Sequence, residues 1–336
     1  MSDKTTVNAI EALLGRSVQH RFEGESCVSL ALTDDTVPLL GLLRHASDDL
    51  KWQILLLVAR LEQLEELDLR QNWLRRLPEE IGNLKSMRVL DLASNYLGQI
   101  PHWLFTLEKL ERLNLGVNDL TTIPPDISRL SKLEALWIHK NAISALPEEI
   151  GCLKGLGTLN LYLNRFPDFP SQIWQLPAIH TFAWGLSNVD YVPEEFSAWR
   201  DLRFLSLVAC KILSIDRLAA NKELSGVRVH KNQISVLGEE LCDLPKLRQV
   251  TFYQNNLDRL PAGFERLDKL EMVNVAWNRF SRFPQELFRL PRLRWAAVHD
   301  NPFPPPELPR NEGCEFVTVR PFFSDKQPIW NRLDYM

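Results

Sequence analysis

LEELDLRQNWL (residues 64–74) decides the fold, because it returns as MRVLDLASNYL at 87–97 and as LERLNLGVNDL at 110–120. The shift is 23 residues each time, and the same frame continues as far as residue 303. A fixed period of this length is typical of a chain built from stacked copies of one small structural unit.

One position of the frame is asparagine in nine of eleven copies. Its occupants are Asn72, Asn95, Asn118, Asn141, Asn164, Ser187, Cys210, Asn232, Asn255, Asn278 and Asn301. An asparagine at the end of a strand can bond to backbone groups of the turn that would otherwise be buried without partners. The pattern therefore predicts a ladder of stacked asparagines, interrupted at Ser187 and Cys210.

Each copy predicts one short parallel strand. In LDLRQN, Leu67 and Leu69 point inward while Asp68 and Arg70 point outward, because strand side chains alternate in direction. The second half of most copies reads LPxxI, and Pro recurs six residues after the ladder position at 78, 101, 124, 147, 170, 193, 261 and 284. Asp216 is expected to replace this proline in the shortened seventh copy. Because the return segment is bulkier than the strand, the stack should curve with its sheet on the concave side.

The LxxLxLxxNxL pattern resembles the leucine-rich repeat family from Leu64 to Phe303. The LPxxI second half is similar to the 23-residue intracellular repeats of Ras-associated scaffolds, their plant relatives and many bacterial proteins. The resemblance implies an α/β horseshoe solenoid with a parallel concave sheet, eleven regular repeats, a degenerate N-terminal repeat and caps. It also implies a noncatalytic role in protein binding.

The regions outside the regular repeats are expected to cap the stack. Residues 1–63 should form an N-terminal cap with a short helix at 6–15, a degenerate strand at 27–37 and a helical insertion between Val37 and Glu62. In that strand Leu30 and Leu32 should point inward and Asp35 should occupy the ladder position. Residues 304–336 should form a C-terminal cap and tail, with a strand within 315–323. The three segments 1–63, 64–303 and 304–336 are predicted to form one continuous domain.

Composition excludes several function classes. The formal charge of -4 over 336 residues provides no basic excess for binding a nucleic-acid backbone. The start of the chain lacks an apolar signal-peptide core, and no apolar run approaches the roughly 20 residues that a membrane helix needs. The five cysteines are at least 32 residues apart, which favours reduced thiols and a cytoplasmic location.

Catalytic and metal-binding motifs are missing from the sequence. His139, His230 and His299 occupy equivalent outward positions, but neighbouring histidines would be roughly 15 to 20 Å apart at about 4.8 Å per repeat. That separation is too large for shared metal coordination. We therefore expect no enzyme activity, no metal and no cofactor.

The concave sheet is the expected binding surface, because solenoids present many side chains there on a rigid scaffold. The predicted contacts with a protein partner are Trp137, His139, Lys140, Tyr162, Leu163, Leu186, Phe204, Val208, Arg228, His230, Lys231 and Tyr253. Within this set Tyr162, Leu163, Leu186, Phe204 and Val208 should form a water-facing apolar strip.

Three alternatives to a simple scaffold remain open. The irregular repeats around Ser187 and Cys210 could reflect repeat decay filled by packing within the chain. The protein could regulate a small GTPase or a phosphatase, or serve as the substrate-recognition arm of an effector enzyme. It is expected to be a monomer that binds neither nucleic acid nor membranes.

Overall fold

The computed structural model describes residues 2–34, 40–303 and 314–317. The chain divides into two compact units, Met1–Ala178 and Ile179–Met336, called unit 1 and unit 2 below. The predicted grouping into 1–63, 64–303 and 304–336 stays a prediction.

Unit 1 begins with a cap of two helices and a hairpin. The helices are α1 (Asp3–Leu14) and α2 (Asp48–Val58), and the first four strands are β1 (Gln19–Glu23), β2 (Ser26–Ala31), β3 (Thr33–Asp34) and β4 (Leu40–Gly41). The five strands of its regular repeats are β5 (Glu66–Asp68), β6 (Val89–Asp91), β7 (Arg112–Asn114), β8 (Ala135–Trp137) and β9 (Thr158–Asn160). Strands β2 and β5 to β9 are parallel and lie in chain order, β1 pairs antiparallel with β2, and β3 pairs antiparallel with β4.

Unit 2 holds seven parallel strands in chain order within the described residues. They are β10 (Thr181–Gly185), β11 (Phe204–Val208), β12 (Gly226–Arg228), β13 (Gln249–Thr251), β14 (Met272–Asn274), β15 (Trp295–Ala297) and β16 (Glu315–Val317). Strand β16 confirms the start of the strand predicted within 315–323, whereas the rest of that strand and the closing segment 304–313 lie outside the described residues.

Short 3-10 helices form the return segments. In unit 1 they are Glu79–Asn83, His102–Thr106, Pro125–Arg129, Glu148–Cys152 and Ser171–Gln175, and in unit 2 they are Glu194–Ala198, Asp216–Ala220, Glu239–Asp243, Ala262–Arg266 and Gln285–Arg289. In eight of the ten the recurring proline is the residue directly before the helix, where its fixed φ suits the entry into a turn. The architecture confirms the predicted α/β solenoid.

The seventh repeat corrects one detail of the sequence alignment. Its 3-10 helix begins at Asp216, so Ile215, not Asp216, occupies the place of the recurring proline. The missing residue of this repeat therefore comes from the turn between Cys210 and Ile215. Asp216 instead accepts a hydrogen bond from the Gly238 N–H at 3.1 Å.

The N-terminal cap confirms the predicted first helix and the burial of Leu30 and Leu32, and it contains one strand, β1, that was not predicted. Helix α1 starts three residues before the predicted 6–15 because the Ser2 hydroxyl accepts a bond from the Thr5 N–H. Leu30 and Leu32 are buried as expected, while Asp35 lies outside the described residues. The antiparallel strand β1 was not predicted, and it covers the edge of β2 that the stack would otherwise leave unpaired.

The asparagine ladder joins neighbouring repeats through backbone groups. Asn95 Oδ1 accepts from the Leu74 N–H of the preceding repeat at 2.9 Å, and Asn95 Nδ2 donates to Leu69 O at 3.0 Å and to Leu92 O at 2.9 Å. Asn72 makes the same contacts to the cap, where its Nδ2 donates to Leu32 O and its Oδ1 accepts from the Leu43 N–H. Each asparagine thus satisfies buried backbone donors and acceptors of two successive units.

The residue before each ladder position has a left-handed backbone. Its φ lies between 54° and 60° in all eleven regular repeats, although none of these residues is glycine. A left-handed conformation costs roughly 1 to 2 kcal/mol for an ordinary residue, and Val117 is β-branched, for which it is rarer still. The N–H groups of nine of these residues bond across to the next repeat, as Val117 N does to His139 O at 2.7 Å, so the surrounding structure holds the conformation in place.

We expect Asn141→Ala to destabilise the protein by about 1 to 3 kcal/mol, because it leaves the Leu120 N–H and the Leu115 carbonyl without the bonds that Asn141 provides. The matched control is Asn188→Ala, which removes an exposed asparagine and should change the free energy of unfolding by less than about 0.5 kcal/mol. Urea denaturation of both variants measures the difference. Equal midpoints would contradict the ladder assignment.

Candidate binding surface on the strands

Four residues of each regular repeat form the surface that we call the strand face. They are the first residue of the strand and the residues two, four and five positions after it. In the first repeat these are Glu66, Asp68, Arg70 and Gln71, all exposed or half-buried. The residue directly before each strand lines one margin of this face, called the leading margin.

In unit 1 the predicted contact residues lie on strands β8 and β9 and in the turns after them. Lys140 is exposed, and Trp137, Tyr162 and Leu163 are half-buried. His139 was predicted to be exposed, and this was wrong, because only 3 % of it is accessible. Its ring lies over Gly116 of the preceding repeat, where a Cβ would come within 2.2 Å of the imidazole.

Burial changes the protonation of His139. It lowers the pKa of the ring to about 4, with a smaller contribution from the charge of Lys140. His139 Nδ1 and Trp137 Nε1 are buried, and neither has a hydrogen-bond partner among the described residues. His139 is therefore a neutral packing residue at physiological pH.

The first repeats of unit 1 carry paired charges on the same face. Arg70 bonds to Asp68 at 2.6 Å and lies 3.8 Å from Asp91, and Asn114 donates to Asp91 at 3.2 Å. Burial, reinforced by the charge of Asp68, raises the pKa of Asp91 to about 6. Acidic and basic groups therefore largely satisfy one another in this part of the strand face.

In unit 2 two large apolar residues of the predicted strip are exposed. Leu186 is 50 % accessible and Phe204 is 37 % accessible. Val208 was predicted to belong to the water-facing strip, and this was wrong, because only 6 % of it is accessible. It is the last residue of β11 and pairs with Gly185, so it lies within the extended part of the sheet.

Phe204 is placed by a glycine. A Cβ on Gly226 would come within 2.7 Å of Phe204 Cδ1, so the ring lies over the position where the next strand carries no side chain. Gly226 is the register partner of Phe204 in the parallel pair β11 and β12. The sequence predicted Phe204 as a contact residue but did not predict that Gly226 positions its ring. The signal for this role was that a glycine occupies a strand position.

The remaining predicted contacts of unit 2 lie on β12, on β13 and in the turns after them. Arg228 is only 8 % accessible and has Ser206 and Thr251 as its register neighbours. Lys231 is exposed, whereas His230 and Tyr253 are half-buried with their rings 6.2 Å apart. Burial lowers the pKa of His230 to about 4, with smaller contributions from Arg228 and Lys231.

Packing within the chain fills the gap in the asparagine ladder. Ser187 Oγ accepts from Trp184 Nε1 at 3.0 Å and donates to Cys210 Sγ at 3.3 Å. Strands β10 and β11 extend to five residues here, two more than the three of β5 to β9. Local repacking therefore explains the buried departures from the pattern, but it leaves Leu186 and Phe204 exposed.

A second apolar feature of unit 2 was not predicted. Tyr191, Leu213 and Val236 follow the strands of three successive repeats and are 44 %, 54 % and 53 % accessible. Most other regular repeats carry polar or charged residues at the corresponding position, among them Arg76, Gln99, Thr122, Asp168 and Arg259. Aligning the residues four places after Ser187 and Asn232 and three places after Cys210, in the shortened repeat, would have revealed this row.

The cysteine and histidine side chains offer no assembled chemistry in the part of the chain that the structure describes. No three His, Cys, Asp or Glu side chains there form a group that could hold a metal ion. Burial raises the pKa of the Cys27, Cys242 and Cys314 thiols to about 11 and also raises that of Cys210. Across the same residues, helices of the length and apolarity needed to cross a bilayer are absent.

We expect His139 to make the protein less stable as the pH falls from about 6.5 to about 4. Its pKa is lowered in the folded state, so the unfolded chain takes up the proton first and unfolding becomes easier. Asp91, with its raised pKa, acts in the opposite direction below about pH 6, so variants must be compared with the parent protein at each pH.

Urea denaturation at pH 7 and at pH 5 tests this prediction. His139→Gln should lose less stability between the two pH values than the parent, and the control His102→Gln, at an exposed position, should follow the parent. The same pH-dependent loss in His139→Gln and in the parent would contradict it.

The comparisons with known proteins match this architecture. A family model for a leucine-rich repeat region matches residues 45–142. A leucine-rich repeat protein of Leptospira interrogans is 32 % identical with a TM-score of 0.70, over 77 % of this chain and 68 % of that one. No curated protein matches the chain significantly.

Two further solved structures share the fold. An internalin of Listeria monocytogenes (inlF) is 18 % identical with a TM-score of 0.65, over 89 % of this chain and 82 % of that one. The ectodomain of the Arabidopsis thaliana receptor kinase GASSHO1/SCHENGEN3 is 28 % identical with a TM-score of 0.62, over 79 % of this chain and 36 % of that one. With its recurrent strands, asparagine ladder and 3-10 returns, the chain belongs to the leucine-rich repeat family.

Proposed function

We propose that this chain is a noncatalytic protein-binding scaffold whose partner contacts the strand face of unit 2 around Leu186 and Phe204. The observation that carries the proposal is the exposure of these two side chains, 50 % and 37 %, on a face where Val208 and Arg228 are buried and His230 and Tyr253 are half-buried. Large apolar side chains grouped on a rigid surface often mark sites of protein association.

Phe204 has the properties of an interface anchor. Aromatic residues are enriched among the few side chains that contribute most binding energy, because a rigid ring buries a large area at a small entropic cost. Its ring is already positioned over Gly226, so little conformational freedom remains to be lost on binding.

The structural relatives support a binding role. The plant receptor ectodomain was solved in complex with CASPARIAN STRIP INTEGRITY FACTOR 2, and the 28 % identical RGFR1, a plant peptide hormone receptor, in complex with RGF2. This chain spans only 36 % and 44 % of those two chains, so the likeness concerns the repeat scaffold. What we carry over is the use of such a scaffold to hold a partner.

We extend the proposal to the finer predictions made from the sequence. Trp137, Lys140, Tyr162 and Leu163 remain candidate contacts in unit 1, and the 23-residue LPxxI repeats remain assigned to the intracellular type. We place the protein in the cytoplasm as a monomer, supported by the five free cysteines. Regulation of a small GTPase or phosphatase, or delivery of substrates to an enzyme, would be particular forms of the same binding role.

The first experiment identifies the partner by affinity capture from the native host. The identity of the captured protein separates the forms of the role, because a GTPase or phosphatase, an enzyme with its substrate, and an unrelated protein would each be recognised directly. Binding to the purified partner is then measured with variants of the strand face.

We expect Leu186→Ala and Phe204→Ala each to weaken partner binding, with a cost of about 2 kcal/mol for Phe204→Ala. Gly226→Ala should also weaken binding without removing a contact residue, because its new Cβ displaces the Phe204 ring. The matched control is Leu213→Ala, an equally exposed leucine outside the strand face, which should bind like the parent.

Titration calorimetry of the four variants against the partner provides the measurement, and thermal unfolding checks that each one folds. A loss of affinity in Leu213→Ala together with parent-like binding by Leu186→Ala and Phe204→Ala would place the site elsewhere.

A further inference from the structure

Acidic side chains are missing from a large part of the strand face of unit 2. The strand face and leading margin of four successive repeats comprise residues 180–186, 203–209, 225–231 and 248–254, and these segments contain neither Asp nor Glu. They carry four permanent cations, Arg203, Arg228, Lys231 and Arg248. This surface is therefore positive, although the whole chain has a formal charge of -4.

The equivalent surface of unit 1 has a different charge balance. Residues 65–71, 88–94, 111–117 and 134–140 contain six carboxylates and four permanent cations. Several of these groups pair directly, as Arg88 does with Glu111 at 2.8 Å and with Glu65 at 3.9 Å. The repeat scaffold therefore accommodates acidic residues at these positions, and their absence from four consecutive repeats of unit 2 is a local property of that surface.

Most carboxylates near the positive surface lie at its borders. Glu271, in the repeat after that of Arg248, lies 3.6 Å from the Arg248 guanidinium. Asp201 lies near His180, whose pKa is lowered by burial and by the charge of Arg203 and raised by the charge of Asp201. Within the surface, the register neighbours of Arg228 are Ser206 and Thr251. Neither carries charge, so the adjacent strands place no carboxylate beside Arg228 in the register of the sheet.

The cations surround the exposed apolar residues. Arg203 directly precedes Phe204, and Arg228 lies two residues beyond Gly226, over which the Phe204 ring rests. Lys231 has the same left-handed position in its repeat that Leu186 has two repeats earlier. A ligand that places an apolar side chain against Phe204 would thus have permanent cations on the same and adjacent strands.

We propose that unit 2 binds an extended acidic segment of a partner protein, with an apolar side chain of that segment against Phe204 and its carboxylates toward Arg203, Arg228, Lys231 and Arg248. This rests on the proposed function and adds the chemistry of the partner. Charge complementarity selects the ligand, since carboxylates gain from a face with four cations, whereas basic segments are repelled.

A nucleic acid is the competing polyanion. Binding to a phosphate backbone draws on many cationic contacts, commonly about 6 to 10, and on a favourable overall field. Here four cations lie on a chain of net negative charge, and Leu186 adds exposed apolar area that contributes nothing to contacts with phosphates. An acidic protein segment uses both the charge and the apolar area.

The test begins with selection of a random 12-residue phage-displayed peptide library on the full-length protein. We expect the enriched peptides to be rich in Asp and Glu and to contain an aromatic or aliphatic residue. The most enriched peptide is then synthesised with a fluorophore, together with an analogue in which Asn and Gln replace its carboxylates. Fluorescence polarisation at 50 and 300 mM NaCl gives the affinities of both peptides.

We expect the amide analogue to bind at least about tenfold more weakly and the acidic peptide to lose affinity in 300 mM NaCl. Lys231→Gln and Arg248→Gln, at exposed positions, should each weaken binding about threefold or more, and Arg228→Gln should weaken it further. The control Arg259→Gln removes the same charge from an exposed position outside the strand face and should change the affinity less than twofold.

The outcomes separate this inference from the proposed function. Enriched peptides without acidic residues that lose binding in Phe204→Ala would overturn the inference and leave the proposed site in place. Acidic peptides that bind all three charge variants like the parent would overturn it as well, as would a selection without enrichment. A fluorescent 20-nucleotide single-stranded RNA that binds in the absence of peptide enrichment, and is weakened by the same three variants, would replace the acidic segment with a nucleic acid.

Discussion

The hydrogen bonds of the ladder asparagines are the interaction on which the rest of the structure depends. A chain that turns away from its strand every 23 residues must bury the backbone groups of each turn. A buried amide without a hydrogen-bond partner lowers the free energy of unfolding, because it has lost its bond to water and gained none in return. Asn95 resolves this by accepting bonds from two backbone N–H groups and donating to three backbone carbonyls, across two repeats at once. The residue before it, Ser94, donates its own N–H to Gly116 O of the next repeat, and this bond helps to hold the left-handed conformation that directs the chain into the return segment.

Where the ladder is interrupted, the chain replaces it with a larger core and a longer sheet. Trp184 occupies a position that is leucine in five of the eleven regular repeats, and its indole N–H bonds to Ser187, which has taken the place of asparagine. Phe182, Phe196 and Trp199 pack around one another in the same repeat with ring centroids 5.0 to 5.8 Å apart. Aromatic packing and additional strand pairing compensate for the lost side-chain bonds, so the backbone path continues with little change.

The sequence was sufficient for the repeat frame because the frame is imposed by groups that recur. Inward leucines, the asparagine and the proline repeat at a fixed spacing, so one alignment predicts the strands and returns of the regular repeats, with an error of one residue in the seventh return. Strand β1 has no counterpart in the repeats, and its exposed side chains gave no apolar alternation to detect. Accessibility on the strand face also escaped prediction, because it depends on the adjacent repeats: the rings of His139 and Phe204 both rest on a glycine, yet His139 is 3 % accessible and Phe204 is 37 % accessible.

This dependence on neighbours explains how a uniform scaffold acquires a local binding chemistry. The positions that specify the fold point inward or into the turn, and the strand-face positions contact their own repeat and the two beside it. Acidic and basic residues can therefore be exchanged on the strand face and its leading margin without disturbing distant repeats. Unit 1 has ion pairs at these positions, such as Arg88 with Glu111, whereas in four repeats of unit 2 the same positions carry cations and no carboxylates. The leucines and asparagines stabilise the stack, and glycines such as Gly226 leave room on the strand face for the ring of an adjacent residue. Under the proposed function, specificity thus follows from small differences between successive repeats on a backbone that hardly varies.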